Sequence, residues 1–244
     1  MSAEAQTRTA VALGTAIIGA WAALHIYAVF FLPFRGVALM LAPAIILLIC
    51  WLNVGLFIVA HDCMHGSFAP GRPALNRWVG RIALGLYAGF SFDRLRPKHF
   101  NHHKRPGTEH DPDFSTLHSR HFWPWYGSFL RQYFGMREFT ILTALVAIYL
   151  LIGAQMTNIL LFWALPAIAS SLQLFFFGTF LPHRHSDRVF ADEHRARSND
   201  YGRLASLITC FHFGYHHEHH LSPHVPWWRL PGERAQTVSR LRPR

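Results

Sequence analysis

Residues 37–65 read VALMLAPAIILLICWLNVGLFIVAHDCMH. Residues 37–60 contain no Lys, Arg, Asp or Glu. An α-helix needs about 20 apolar residues to cross the hydrocarbon core of a bilayer, so this stretch predicts a membrane span. It ends on His61-Asp62-Cys63-Met64-His65, an H-x-x-x-H pair. Residues four apart share a helix face, which aims both imidazoles at one point where the apolar run stops. A membrane helix that ends in two candidate metal ligands governs the reading of the rest.

Three more stretches predict spans: 10–33, 139–154 and 157–181, the last two separated by a short Gly/Gln/Thr/Asn break. Phe34-Arg35-Gly36 reads as a tight turn. The expected fold is all-α and integral to a membrane: four transmembrane helices in two hairpins under a His-rich helical cap, forming one domain over 1–244. Of the 23 Lys and Arg, eleven lie in 61–137 and ten in 183–244. By the positive-inside rule these two regions and both termini are expected on the cytoplasmic side. Residues 79–92 and 203–214 are apolar but short, which suits interfacial or re-entrant helices. TVSRLRPR, at 237–244, reads as a basic, frayed tail.

Composition agrees. Only 15% of residues are charged, against roughly 25% in soluble domains, and 51% are hydrophobic. That excludes an ordinary cytosolic globule, and with 15% aromatics it excludes disorder. The net charge of +10 fits the cytoplasmic face of a membrane better than nucleic acid. A soluble all-helical core would need two long uncharged helices buried on every side. The N-terminus, MSAEAQTRTA, has no clear basic region or cleavage site, so the first apolar stretch is expected to be retained. Three scattered cysteines without C-x-x-C imply no disulfide framework.

Seventeen of the 18 histidines lie at or beyond His61. His99, His102 and His103 form H-x-x-H-H; His216, His219 and His220 form a second; His183 and His185 follow the last span. Each H-x-x-H-H directs three imidazoles at a common region, and its adjacent pair can divide between two nearby metals. With one or two ligands from 183–185, nine or ten nitrogens result. Zinc takes four, whereas two metals of about five ligands use them all. Imidazole suits several transition metals. Two adjacent metals at a membrane surface suit dioxygen activation on an apolar substrate, which points to two iron ions with O2 as co-substrate. Soluble di-iron bundles use Glu-x-x-His, which does not occur here.

Other histidines carry weaker signals. His25, inside the first span, reads as structural; His110, His118, His121, His194 and His224 read as surface or outer groups. His212 and His217 are candidates for outer support. Asp62, Asp111 and Asp113 are expected to orient imidazoles through their free N–H, although Asp111-Pro112-Asp113 is also an ordinary turn sequence. HDCMH has the spacing of a zinc-protease motif with Asp for Glu, but that reading leaves at least six box histidines unused. A metal transporter would place ligands along its spans, and these contain one His. Leu86, Tyr87, Phe90 and Phe92, with Trp227 and Trp228, could wall a substrate pocket or anchor the chain at the interface.

The three boxes resemble the integral-membrane fatty-acid desaturase and hydroxylase superfamily. HDCMHGSFAPGRPALN, LGLYAGFSFDRL, HFNHHKRPGTEHDPDF, FGTFLPHRHSD and TCFHFGYHHEHHLSPHVPWWRLP are similar to one branch, the bacterial β-carotene ketolases, from about residue 20 to 232. The boxes mark the superfamily; PGT-x-x-DPDF, LPHRH and PWWRLP carry the finer likeness. The resemblance implies an oxygenase of the bacterial inner membrane acting on carbon 4 of a carotenoid β-ionone ring, with electrons from a donor such as ferredoxin and its reductase. It places metal ligands on His61, His65, His99, His102, His103, His216, His219 and His220, and a ninth on His183, with His185 as competitor. Thr179 stands where desaturase relatives can carry an Asn that holds a water.

Overall fold

The computed structural model describes residues 1–33, 35–187 and 189–241, and it contains no strand among them. Phe34 of the expected turn and the last three residues of the expected basic tail lie outside the described residues. Helix α1, Ala3–Ile26, continues through a π-helical turn, Tyr27–Phe31. It is followed by α2 (Val37–His65), α3 (Pro73–Ala88) and α4 (Phe92–Lys104). Then come α5 (Phe122–Tyr133) and α6 (Met136–Leu151). Helix α7 runs over Met156–His183 with two π-helical turns, Leu160–Ala164 and Phe176–Phe180. Three short helices complete the chain: α8 (Arg203–Cys210), α9 (His216–Leu221) and α10 (Leu230–Leu241).

Three helices are long and apolar enough to cross a membrane: Ala3–Phe31, Val37–His65 and Met156–His183. Only a third of each apolar window is buried within the chain. The exposed remainder, including Met40 and Leu47 on α2 and Leu160 and Ile168 on α7, needs an apolar solvent, so a soluble core is excluded. The expected span at 139–154 corresponds to α6, which makes a fourth crossing only if it is counted with the helix before it. Helix α6 has 16 residues and qualifies only together with α5, from which it bends by 81°. Phe134 and Gly135 are extended there, and the Glu138 carboxylate accepts the Gly135 N–H at 3.1 Å, starting a new helix. The expected tail is corrected: residues 237–241 belong to α10.

Two spans are longer than the apolar runs suggest. The Ser2 hydroxyl caps α1, accepting the Ala5 N–H at 3.2 Å, so the helix starts in polar sequence. Helix α2 continues through the first histidine box until Gly66, whose φ of 74° is left-handed and closes the helix. Buried polar groups are matched within the apolar layer. The Trp21 indole donates to Asn53 at 2.6 Å. The Asn158 amide donates to the Ala28 and Leu32 carbonyls at 3.1 and 3.0 Å, serving backbone that the π turn of α1 leaves unpaired.

The main core joins α1, α2 and α3, with Phe211 and Phe213 packed against them. Helix α3 is amphipathic: Ala83, Leu84 and Tyr87 are buried, while Trp78 and Ile82 are exposed. The expected interfacial segment 79–92 breaks at Gly89, with φ 68°, and its last residue begins α4. Gly80 permits the α3–α4 crossing, because a Cβ there would lie 2.2 Å from the Phe92 ring. That crossing sets where α4 carries the second box.

Candidate metal centre

Four elements bring histidines to one place. His61 and His65 occupy the last turns of α2; His99, His102 and His103 end α4; His183 ends α7; His216, His219 and His220 lie on α9. Local bonds fix the approach. The Arg96 guanidinium donates to the Met64 carbonyl at 3.0 Å, holding α4 against the end of α2. The His217 N–H donates to the Ser198 hydroxyl at 3.0 Å, capping the first turn of α9.

The side chains form two groups. His61, His65, His99, His103 and His219 make one; His102, His183, His216 and His220 make the other; within each, one ring nitrogen per residue lies within 4.8 Å of all the rest. The adjacent pairs divide, His103 and His219 facing the first group and His102 and His220 the second. The His103 and His220 rings stack at 4.2 Å between centroids and join the two.

Some of the ring nitrogens meet in pairs and others have no partner. His65 Nε2 lies 2.7 Å from His99 Nε2, and His103 Nε2 lies 3.1 Å from His219 Nε2. In the second group His216 and His220 meet through Nε2 at 3.1 Å. Both His61 nitrogens and His183 Nε2 are buried without a hydrogen-bond partner. Burial, reinforced by neighbouring imidazoles, holds His99, His216, His219 and His220 well below the usual imidazole pKa. Charge on these rings is therefore disfavoured, and their nitrogens converge on two points. Such orphaned acceptors fit a metal ion, since metal–imidazole bonds of about 2.0–2.1 Å place ligand nitrogens of one ion at these separations.

Acids stand behind the second group. His102 Nδ1 donates to Asp111, 3.0 Å from both carboxylate oxygens. Asp111 also accepts the Gly107 and Asp113 N–H groups, each at 2.8 Å, so it closes the turn as well. Burial favours neutral His102, but Asp111 and Asp113 outweigh it and raise its pKa. The Tyr133 hydroxyl donates to Asp113, whose carboxyl burial pushes up to about 6. His183 Nδ1 donates to the Arg195 carbonyl at 2.8 Å. Asp62 lies 3.8 Å from His61 Nδ1, beyond hydrogen-bond reach, and accepts the Trp227 N–H at 3.2 Å. It ties the chain near 227 to the end of α2.

The remaining candidates fall outside the two groups. His185 is exposed against Phe114. His217 turns outward to Asp192 at 2.7 Å. His212 lies between Tyr215 and Trp227. His25 contacts the Tyr149 hydroxyl at 3.1 Å inside the apolar layer. The sequence reading passed over Glu218, which is buried and accepts from the Ser198 hydroxyl and from Arg234 at 3.0 Å. A lone acid within a histidine run was its signal. Tyr133 had none, because it reaches Asp113 only through the fold.

A chamber opens beneath both groups. His61, His99, His102 and His216 form one wall, and Tyr87, Phe90, Leu174, Thr179 and Phe213 are among its other walls. Of the six residues expected to wall a pocket, Tyr87 and Phe90 do so. Leu86 and Phe92 pack into the α1–α3 core instead, Trp227 covers Phe211 and His212, and Trp228 crosses Trp227 at 5.8 Å. Leu86 lies on α3 beside the lining residue Tyr87 and Phe92 begins α4, so composition alone does not tell the facing side chains from their neighbours.

Residues 36–140 and 129–238 match the fatty acid desaturase family. The chain belongs to this family. Within it, the chain is 49% identical over 233 residues to a Beta-carotene ketolase of Paracoccus sp. (strain N81106 / MBIC 01143), covering 94% of each. It is 50% identical over 225 residues to a Beta-carotene ketolase of Paracoccus sp. (strain PC1), covering 91% of this chain and 90% of that one. A Zeaxanthin 4-ketolase of Chlamydomonas reinhardtii is 34% identical over 233 residues, 91% of this chain and 52% of that protein.

Proposed function

We propose that this chain is a β-carotene 4-ketolase, an O2-dependent oxidoreductase of the membrane. The observation that carries the reading is that two neighbouring all-histidine groups share the wall of one largely apolar chamber. The near-full-length likeness to proteins named Beta-carotene ketolase supports the choice of substrate.

Two iron ions would be held, one by His61, His65, His99, His103 and His219, the other by His102, His183, His216 and His220. When bound, they supply O2 activation for abstraction of an allylic hydrogen. The protein residues supply the rest. Tyr87, Phe90 and Phe213 hold an apolar ring against the histidine wall, and position fixes which carbon reacts. Two hydroxylations at carbon 4 give a gem-diol, which loses water to a ketone, so the ring must stay in register for both rounds. Asp111 keeps His102 in the tautomer whose Nε2 faces inward.

The same reading places one domain, 1–244, in the bacterial inner membrane as two hairpins. Both termini and the His-rich cap face the cytoplasm, where a donor such as ferredoxin and its reductase would deliver electrons. The charge asymmetry between regions 61–137 and 183–244 and the spans supports this orientation. Expression in a β-carotene-producing host tests the function. The expected product is a ketocarotenoid, echinenone or canthaxanthin, with astaxanthin from zeaxanthin. Zeaxanthin alone from β-carotene would instead indicate a carotenoid hydroxylase, and an unchanged pigment with altered lipids a desaturase.

A further inference from the structure

The chamber under the histidines is small, with about 90 Å³ open to the centre of a water-sized sphere. It suits a cyclic end group and not a long rod-shaped molecule, so the rest of the substrate must leave by an opening. Two neighbouring hollows share lining residues with it and are the candidate exits. One shares Phe90, Leu95 and Tyr133 with a cleft lined by Arg94, Lys98, Arg131 and Glu138. The other shares Tyr87, Phe90, Leu130 and Ser171 with a groove of about 560 Å³ on the same measure.

The groove is apolar along its length, with Leu142 and Val146 of α6 facing Ile159, Trp163, Ala164 and Ala167 of α7. Its outer rim includes Leu160 and Ile168, both more than half exposed on a spanning helix. It therefore opens sideways to lipid. Its only hydroxyls are those of Tyr87, Tyr126 and Ser171, all at the inner end. The Tyr126 and Ser171 hydroxyls bond each other at 3.0 Å, so each has a partner within the groove. A separate feature marks the same path. The π turn Leu160–Ala164 borders the groove and the π turn Phe176–Phe180 borders the chamber through Gly178 and Thr179. Such turns concentrate at functional sites.

Resting on the ketolase reading, we propose that the α6–α7 groove is the lateral entrance from the bilayer and the seat of the substrate's polyene. Tyr87, Phe90, Leu130 and Ser171 form the neck that admits one ring to the metals. The charged cleft takes no part in holding an uncharged hydrocarbon, whose transfer beside Arg and Lys head groups gains nothing over lipid.

The test uses the full chain in a β-carotene-producing host, with ketone, co-purifying carotenoid and iron per chain measured together. Ala164→Phe and Ala167→Phe are expected to cut ketone and bound carotenoid at least tenfold while iron stays at the wild-type level. Gln132→Trp, which fills the charged cleft, is expected to leave all three within twofold. The proposal fails if the alanine variants with full iron stay within twofold of wild type, or if Gln132→Trp alone removes bound carotenoid. Should the Phe variants lose iron, Ala164→Cys decides. The native cysteines Cys50, Cys63 and Cys210 are buried. A lipid-soluble maleimide should label the new thiol in membranes, and β-carotene should slow labelling at least fivefold; equal rates overturn the entrance. A wild-type chain that makes no ketone strikes the proposed function alone, because the labelling still reads the groove.

Discussion

The two histidine groups differ in what stands behind them. The second is fully buried, and two of its four rings have Nδ1 donating to an oxygen: His102 to Asp111 and His183 to the Arg195 carbonyl. The first has five rings, three of them half-buried, and no carboxylate within hydrogen-bond reach of His61, where Asp62 stands at 3.8 Å. Its close contacts are between the imidazoles themselves, as at 2.7 Å between His65 and His99. One group is oriented by the fold before any ion arrives, while the other gathers more ligands with less support. Ligand number and outer orientation are two routes to holding a metal, and on the proposed di-iron reading each group would rely on a different one.

The largest effect breaks the comparison altogether. If both groups serve one reaction, His61→Ala in the first and His102→Ala in the second should each take ketone formation below detection. Iron should fall from about two per chain to one or fewer. Either variant keeping more than a tenth of wild-type turnover would mean that one group is not part of the reacting centre.

The next effect sharpens it. Asp111→Asn removes the carboxylate that accepts from His102 Nδ1, and loss of such partners costs roughly 10–100-fold in metal affinity or activity. Asp62→Asn should leave iron content within about twofold, because an amide oxygen can still accept the Trp227 N–H and no imidazole loses a bond. Its cost should show in stability, about 1 kcal/mol. Graded chelation of wild type should remove the iron of the first group before that of the second, and Asp111→Asn should reverse the order. Iron content with its spectroscopic signature reads all three, and equal loss from both aspartate variants would erase the distinction.

These particulars show what the sequence carried. The gathering of the box histidines was legible because helical spacing is local: His61 and His65 lie on one face, and the adjacent residues of the two H-x-x-H-H copies divide between groups. The spans were legible as uncharged runs. What was not legible depends on contacts between distant segments. Asp62 sits beside His61 in sequence, yet its carboxylate turns to the backbone at 227. Asp111, nine residues beyond His102, reaches it through a turn that it also closes. The bend between α5 and α6 falls at Phe134 and Gly135, between Arg131 and Arg137, and its angle depends on how the two helices pack, which local composition does not carry.

A smaller effect probes the scaffold under both groups. Gly80→Ala puts a Cβ 2.2 Å from the Phe92 ring at the α3–α4 crossing. Overpacking of this kind costs about 1–3 kcal/mol. Because α4 supplies ligands to both groups, the variant should lower the melting temperature and both iron affinities in proportion. A loss confined to one group would show that α4 is held by its own partner bonds rather than by the crossing.

The smallest expected effect is at His217, and it tests how far position in the sequence determines role. His217 lies between two ligand candidates, His216 and His219, yet the helix turns its ring outward to Asp192 at 2.7 Å. Asp192 is about a third exposed, so solvent screens the pair and its worth is at most about 1 kcal/mol. The link that fixes α9, the His217 N–H to the Ser198 hydroxyl, is a backbone bond and survives substitution. His217→Ala should therefore keep two irons and ketone output within about twofold, while His216→Ala and His219→Ala on either side lose both. If His217→Ala removed iron as its neighbours do, α9 would present a different face to the centre, and the division of its histidines between the two groups would have to be redrawn.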